Sequence, residues 1–154
     1  MIILQGMCYS GKTTLGDLLA REMSLPFLDS RDLFQRAHHM SEIEYLTKHG
    51  RDNFCRAEEE SLAQEFGNIV LSLGGSACYY SKGMEDLASQ HTVVWLNVDL
   101  SVIKERKRAE DKERPVVFPE GIHTFDELYE ERNKLYPKYA SITIDVKKME
   151  TPLN

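Results

Sequence analysis

An α/β fold built on a mainly parallel sheet is the architecture this sequence predicts, and three observations carry it. Short apolar runs alternate with segments of helical period along the chain. One run, Asn68-Ile69-Val70-Leu71-Ser72-Leu73, is apolar almost without interruption and is stopped by Gly74-Gly75, as suits a strand covered on both faces. The first run feeds directly into Gly6-Met7-Cys8-Tyr9-Ser10-Gly11-Lys12-Thr13, a glycine loop that opens a helix.

The elements follow in order. Residues 1–5 form the first strand, and residues 12–23 place Leu15, Leu18, Leu19 and Met23 at helical spacing. Residues 26–28 are a brief extended stretch. Asp29 can cap a helix carrying Leu33, Phe34 and Ala37, and Ser41 can cap the next one with Glu44 at the capping-box position. Residues 52–66 read as a longer helix, 68–73 as the buried strand, 84–89 as a helix, 92–98 as a strand and 101–108 as a helix. The charged segment 109–121 holds Pro115 and Pro119, lacks a sustained period and is expected to be a mobile loop. Thr124-Phe125-Asp126-Glu127 repeats the capping box and opens a helix to about residue 139, and residues 142–146 form the last strand.

Composition bounds the function. A chain of 154 residues that is 42% hydrophobic and 29% charged is expected to form one domain over residues 1–154, without linker or internal repeat. Its longest apolar runs are too short to span a bilayer, and its opening residues lack a basic segment and make a poor secretory signal, so a cytoplasmic protein without membrane partners is expected. Cys8, Cys55 and Cys78 are widely separated and form no Cys-x-x-Cys pair, which argues against a disulfide or zinc framework. The net charge of −6, from 25 acids against 19 bases, disfavours a broad grip on nucleic acid. It leaves room for a small anionic ligand at a local basic cluster such as the one between Lys104 and Arg114.

The glycine loop matches G-x-x-x-x-G-K-[ST] in full. Glycines let the backbone turn so that successive amides and the helix N-terminus converge on phosphate oxygens. Gly6, Met7, Cys8, Tyr9, Ser10 and Gly11 would form that cradle with Thr14 beside it. Lys12 would reach the β/γ-phosphates of ATP, and Thr13 would offer its hydroxyl to Mg²⁺. The chain is short for an ATPase motor and lacks both the Asn-Lys-x-Asp and the Asp-x-x-Gly expected of a GTPase. An Arg/Lys-rich loop late in the sequence suits a lid over a transferring phosphate.

Several further segments resemble the shikimate kinase family. These are Leu25-Pro26-Phe27-Leu28-Asp29-Ser30, Leu71-Ser72-Leu73-Gly74-Gly75, Arg114-Pro115-Val116-Val117, and Arg132-Asn133-Lys134-Leu135-Tyr136 with Ala140. The resemblance covers nearly the whole chain. It implies a three-layer α/β/α P-loop fold with a five-stranded parallel sheet in the order 2-3-1-4-5, an acceptor region at about 29–60 and a mobile lid at about 109–121. It also implies an ATP- and Mg²⁺-dependent kinase, acting as a monomer on a ring hydroxyl of shikimate or a similar small hydroxylated, anionic metabolite. Asp29 would help hold Mg²⁺, Arg114 would close on the γ-phosphate, Arg106 and Lys107 would border adenine, and Arg132 would pair with the acceptor carboxylate. Gly74 and Gly75 would form the turn against the acceptor. The chain ends at Thr151-Pro152-Leu153-Asn154, where relatives have an adenine-side loop and a final helix. Pro152 is expected near adenine, in a site more open than theirs.

The acceptor half departs from the family pattern. Its Asp-x-Asp reads Asp29-Ser30-Arg31, its Phe-Arg-x-x-Glu reads Phe54-Cys55-Arg56-Ala57-Glu58, and Ser76 replaces its third glycine. Arg31, Cys55 and Ser76 are therefore candidate acceptor residues of altered chemistry. Asp32 and Arg56 stand one residue beyond the lost groups and are further candidates, although about 100° of helical rotation separates each from the position it would fill. A nucleoside or nucleotide kinase, and a nucleotide-binding domain without acceptor turnover, are the alternatives this leaves open.

Overall fold

The computed structural model describes residues 1–111 and 114–147. Its strands β1 (Ile2–Gln5), β2 (Phe27–Asp29), β3 (Val70–Ser72), β4 (Thr92–Val98) and β5 (Ile142–Val146) form one sheet in the order β2-β3-β1-β4-β5. Every neighbouring pair is parallel, with Leu4 opposite Ser72 and Val94, and Asp29 opposite Ser72. This is the topology that the resemblance implies.

Alternation along the strands explains the three layers. Ile3, Leu71 and Val93 point to one face, where they pack with Met84 and Tyr80. Leu4, Val70 and Val94 point to the other and pack with Ala20 and Phe27. Among the described residues, seven helices serve these faces and the strand ends: α1 (Lys12–Glu22), α2 (Ser30–His38), α3 (Glu42–His49), α4 (Arg51–Leu62), α5 (Ser81–Gln90), α6 (Leu100–Ala109) and α7 (Phe125–Leu135). Edge strand β5 is covered least, with Ile142 50% and Ile144 40% exposed. No helix among the described residues is long and apolar enough to cross a membrane.

The starts of three helices follow the sequence. Asp29 accepts the amide of Arg31 at the start of α2, and both capping boxes form, Ser41 with Glu44 and Thr124 with Glu127. Two ends differ. The helix expected to reach residue 66 stops at Leu62, where Ala63 leaves the helical region. The helix expected to reach residue 139 stops at Leu135 and tightens into a 3-10 turn over Tyr136–Lys138, because Pro137 has no amide to continue the α ladder. A second 3-10 turn, Gly75–Tyr79, follows β3 and was not signalled by the glycines alone. Between α6 and α7 the described residues form no helix or strand. That segment is nonetheless anchored, since Val117 is buried against Phe34, Phe54 and Ala57.

Candidate active site

The loops leaving the C-terminal ends of β1, β2 and β3 converge on one cleft of about 790 Å³, the usual place for a ligand on an open parallel sheet. Loop 6–11 forms one wall. Gly6 has φ 147, and a Cβ there would lie 2.8 Å from the carbonyl oxygen of Leu96, so only glycine fits against β4. Gly11, at φ 93, turns the chain into α1, whose first-turn amides have no intrahelical acceptors. The Lys12 ammonium lies inside this loop and donates to the carbonyls of Gly6 at 2.8 Å and Met7 at 2.7 Å. Burial pushes its pKa down to about 8, against the opposing charge of Asp29. Gly6 and Met7 thus form the base of the loop, off the cleft surface, while Cys8, Tyr9, Ser10, Gly11, Lys12, Thr13 and Thr14 line the cleft itself.

Beside the loop, the Thr13 hydroxyl donates to Asp29 Oδ2 at 2.7 Å. Arg31 closes the group: its amide and Nε donate to Asp29 Oδ1 at 3.0 and 3.2 Å, and Nη2 reaches Asp29 Oδ2 at 3.2 Å and Thr13 Oγ1 at 3.3 Å. Burial raises the pKa of Asp29, but the hydrogen bonds and charge of Arg31 outweigh it and hold the carboxyl below its ordinary value. A threonine hydroxyl and a carboxylate are hard oxygen donors of the kind Mg²⁺ takes. The pair therefore suits that ion, provided Arg31, whose side chain is 40% exposed, yields its place on Asp29.

The opposite wall is built by α4, α7 and the turn after β3. Arg132, 2% exposed, donates from Nη2 to the carbonyl of Val117 at 2.9 Å, and its Nε is buried without a partner. Among the described residues it makes no ion pair; Glu127, a possible surface partner, is occupied by its capping box. The same helix end is tied to the end of β1 and to the turn after β3 by two bonds: Gln5 Nε2 donates to the Tyr136 carbonyl, and the Tyr136 hydroxyl to the Gly75 carbonyl, both at 2.8 Å. Gly75 lets Arg132 approach, since a Cβ there would fall 2.7 Å from Nη1. Gly74 does the same for Glu58, 2.4 Å from where its Cβ would be, and its amide donates to Ser30 Oγ at 2.9 Å.

Glu58 accepts hydrogen bonds from Ser76 Oγ at 2.6 Å and from the Tyr80 hydroxyl. Burial pushes its carboxyl above the ordinary value, against those hydrogen bonds and the charge of Arg132. On the lid side, Arg114 lies over the Tyr9 ring, 5.0 Å from its centre, and donates from Nε to Glu110 Oε2 at 2.8 Å. Arg106 donates from Nη1 to the carbonyls of Tyr9 at 3.2 Å and Ser10 at 2.9 Å, bracing the loop while lining the cleft.

Four sequence candidates fall elsewhere. Lys107 turns away from Arg106 and lies over the Phe125 ring at 5.2 Å. Asp32 is exposed on α2 and does not line the cleft. On α4 the cleft face is the one carrying Phe54 and Glu58, four residues apart. Cys55 and Arg56 are rotated off it: Cys55 packs among core residues, and Arg56 lines a separate cavity near Leu62 and Phe66. Rotation of about 100° per residue accounts for both Asp32 and Arg56. Pro152 lies outside the described residues.

The family model for shikimate kinase matches residues 9–152. The chain belongs to the shikimate kinase family. Among the relatives, the shikimate kinase of Bacteroides fragilis is 35% identical over 118 residues, which are 75% of this chain and 66% of that protein, just under two thirds of its length. The crystal structure of shikimate kinase from Bacteroides thetaiotaomicron superposes with a TM-score of 0.81 at 31% identity, covering 98% of this chain and 89% of that one. That of the Acinetobacter baumannii enzyme in complex with shikimate gives 0.79 at 27% identity, covering 97% and 83%.

The structure clarifies how this member departs from the family's pattern. Ser76, in place of the third glycine, is a hydrogen-bond donor to Glu58. Arg31, in place of an acid, is bound to Asp29. Three cleft carboxylates were missed from sequence as site members: Glu42, Glu58 and Glu110. For Glu58 a signal existed, the i, i+4 pairing with apolar Phe54. For Glu42, the first residue of α3, only the folded arrangement brings it to the cleft.

Proposed function

We propose that this protein transfers the γ-phosphoryl group of ATP to a ring hydroxyl of shikimate, giving ADP and 3-phosphoshikimate. The observation that carries this reading is Arg132: a buried guanidinium without an ion-pair partner among the described residues, facing the same cleft as the phosphate loop. A planar guanidinium matches a carboxylate through two parallel hydrogen bonds, so an acid seated on it is oriented as well as bound.

The chain's own residues then divide the work. The loop amides and Lys12 bind the phosphates, and Arg106 keeps the loop in shape. Arg114, released from Glu110, neutralises charge on the transferring group. Thr13 and Asp29 would hold Mg²⁺, which when bound supplies charge neutralisation at the phosphate oxygens. The acceptor oxygen forms a bond to the γ-phosphorus as the bond from that phosphorus to the β–γ bridging oxygen breaks, ADP leaves with that oxygen and its electron pair, and the hydroxyl proton passes to solvent water. Placement of the two substrates in one cleft supplies most of the acceleration.

The test is ADP release measured against a panel of shikimate, related cyclic acids, sugar acids and nucleosides. Shikimate should stimulate turnover most, and Lys12→Ala should remove it. A panel in which a nucleoside stimulates and shikimate does not would replace this reading with a nucleoside kinase. ATP binding with no stimulation by any acceptor would replace it with a non-catalytic nucleotide-binding role.

A further inference from the structure

Four carboxylates of the described residues line the cleft: Asp29, Glu42, Glu58 and Glu110. Three are committed. Asp29 accepts from Thr13 and from the amide, Nε and Nη2 of Arg31. Glu58 accepts from Ser76 and Tyr80. Glu110 accepts from Nε and Nη2 of Arg114. Glu42 alone among them accepts no hydrogen bond and makes no ion pair with any described residue.

The backbone at Glu42 is fixed independently of its side chain. It is the first residue of α3, and the capping box there is made by Ser41 and Glu44, so Glu42 is not spent on holding the helix. Its side chain is half-buried and within electrostatic reach of Arg31 on α2, Asp29 on β2 and Glu58 on α4. Carboxylates are acceptor-only groups when ionised, and a hydroxylated ligand brings the donors they lack. A half-buried carboxylate with no donor is costly unless a ligand supplies one.

We infer that Glu42 is the carboxylate that receives a hydroxyl of the acceptor and so orients it in the cleft, a specificity role that neither its position in the chain nor the family resemblance assigns. This rests on the shikimate kinase reading above. Arg31, held on Asp29, sets one side of the subsite and Arg132 the other, so an acid with hydroxyl groups is gripped at its carboxylate by Arg132 and at a hydroxyl by Glu42. Burial beside Glu58 and Asp29, opposed by Arg31, also pushes the Glu42 carboxyl up to about 8. Its accepting form therefore grows in as pH rises across the neutral range.

The variant Glu42→Gln keeps the size of the side chain and removes its charge. The experiment measures steady-state kinetics with shikimate from pH 6 to 9, and shikimate binding by calorimetry in the presence of ADP, for wild type and variant. The expected result is a rise of at least about tenfold in the acceptor KM and Kd, an ATP KM within about twofold of wild type, and loss of the rise in kcat/KM between pH 7 and 9. Glu42→Asp should recover part of the affinity. Wild type that turns over shikimate while Glu42→Gln keeps its acceptor KM, Kd and pH profile would overturn the role of Glu42 and leave the kinase reading intact. Wild type that neither binds nor turns over shikimate would overturn both.

Discussion

The Arg31 guanidinium lies along the Asp29 carboxylate, with Nε 3.2 Å from Oδ1 and Nη2 3.2 Å from Oδ2, while Thr13 donates to the same carboxylate at 2.7 Å. One acid therefore caps α2, pairs with Arg31 and anchors the start of α1. A divalent cation on Thr13 and Asp29 must compete with Arg31 for the same lone pairs. Replacing Arg31 with alanine should lower the Mg²⁺ concentration that gives half-maximal activity. The pair is partly solvent-exposed and worth little, so the shift should be about two- to fivefold. Titration of activity with Mg²⁺ at saturating ATP checks this, and an unchanged or higher midpoint would refute it.

Lys12 supplies a prediction about protons. Burial holds its pKa to about 8 in the protein alone, below that of an ordinary lysine. Phosphates placed against the ammonium favour its charged form and raise that value. Binding of a non-hydrolysable ATP analogue at pH 8 should therefore take up about half a proton through Lys12, falling toward zero near pH 6.5 where the group is already charged. Calorimetry in buffers of different ionisation enthalpy measures the uptake. The variant Lys12→Arg, charged throughout, should lose it, and uptake undiminished in that variant would assign the proton elsewhere.

Ser76 and Glu58 give a stability prediction. Glu58 is buried, and Ser76 is one of its two hydrogen-bond donors. The variant Ser76→Ala should cost about 1–3 kcal/mol at pH 8, the penalty for a buried charged acceptor losing a partner. The raised pKa of Glu58 means that the folded state holds this proton more tightly than the unfolded chain. Glu58 therefore opposes folding progressively as pH climbs from its unfolded value of about 4.3 through its folded one. Urea unfolding of the variant should accordingly show a smaller loss at pH 5 than at pH 8. An equal loss at both would mean the hydroxyl acts by packing alone.

How much of this was legible beforehand depends on how local each feature is. The phosphate loop, the Asp29 cap and both capping boxes are written in residues within a few positions of one another, and all form as the spacing predicts. Parallel topology was legible from residues 68–73, whose two faces Leu71 and Val70 divide between separate core clusters. The acceptor wall was not, because a helix's cleft face is chosen by what it packs against. Phe54 and Ala57, packed with Phe34 and Val117, fix the rotation of α4 so that Glu58 faces inward and Arg56 outward. Asp32 and Arg56 stand one residue from the lost groups, and the rotation of about 100° that the sequence already imposes keeps both off the cleft. The resemblance set Arg132 at the acceptor, but its burial beneath Val117 was not legible, because it comes from a segment that carries no period of its own.

Gly75 joins the two halves of the cleft, and its replacement should damage both. Its φ lies outside the left-handed region, so the backbone would tolerate alanine; the neighbours would not. A Cβ there would sit 2.7 Å from Arg132 Nη1 and 3.2 Å from the backbone nitrogen of Cys8. The guanidinium tip can shift, which moves the acceptor site, but the Cys8 backbone belongs to the phosphate loop. Gly75→Ala should therefore raise the KM for ATP as well as for the acceptor and lower kcat/KM by about 10²-fold or more, the scale of loss when reacting groups are misplaced by about an ångström. Gly83→Ala is the matched control, because the nearest atom to a Cβ there is 3.6 Å away and the residue lies within α5. That variant should keep full activity and gain about 0.5–1 kcal/mol from helix propensity. Equal kinetics for the two variants would show that Gly75 does not hold the phosphate loop and Arg132 in register.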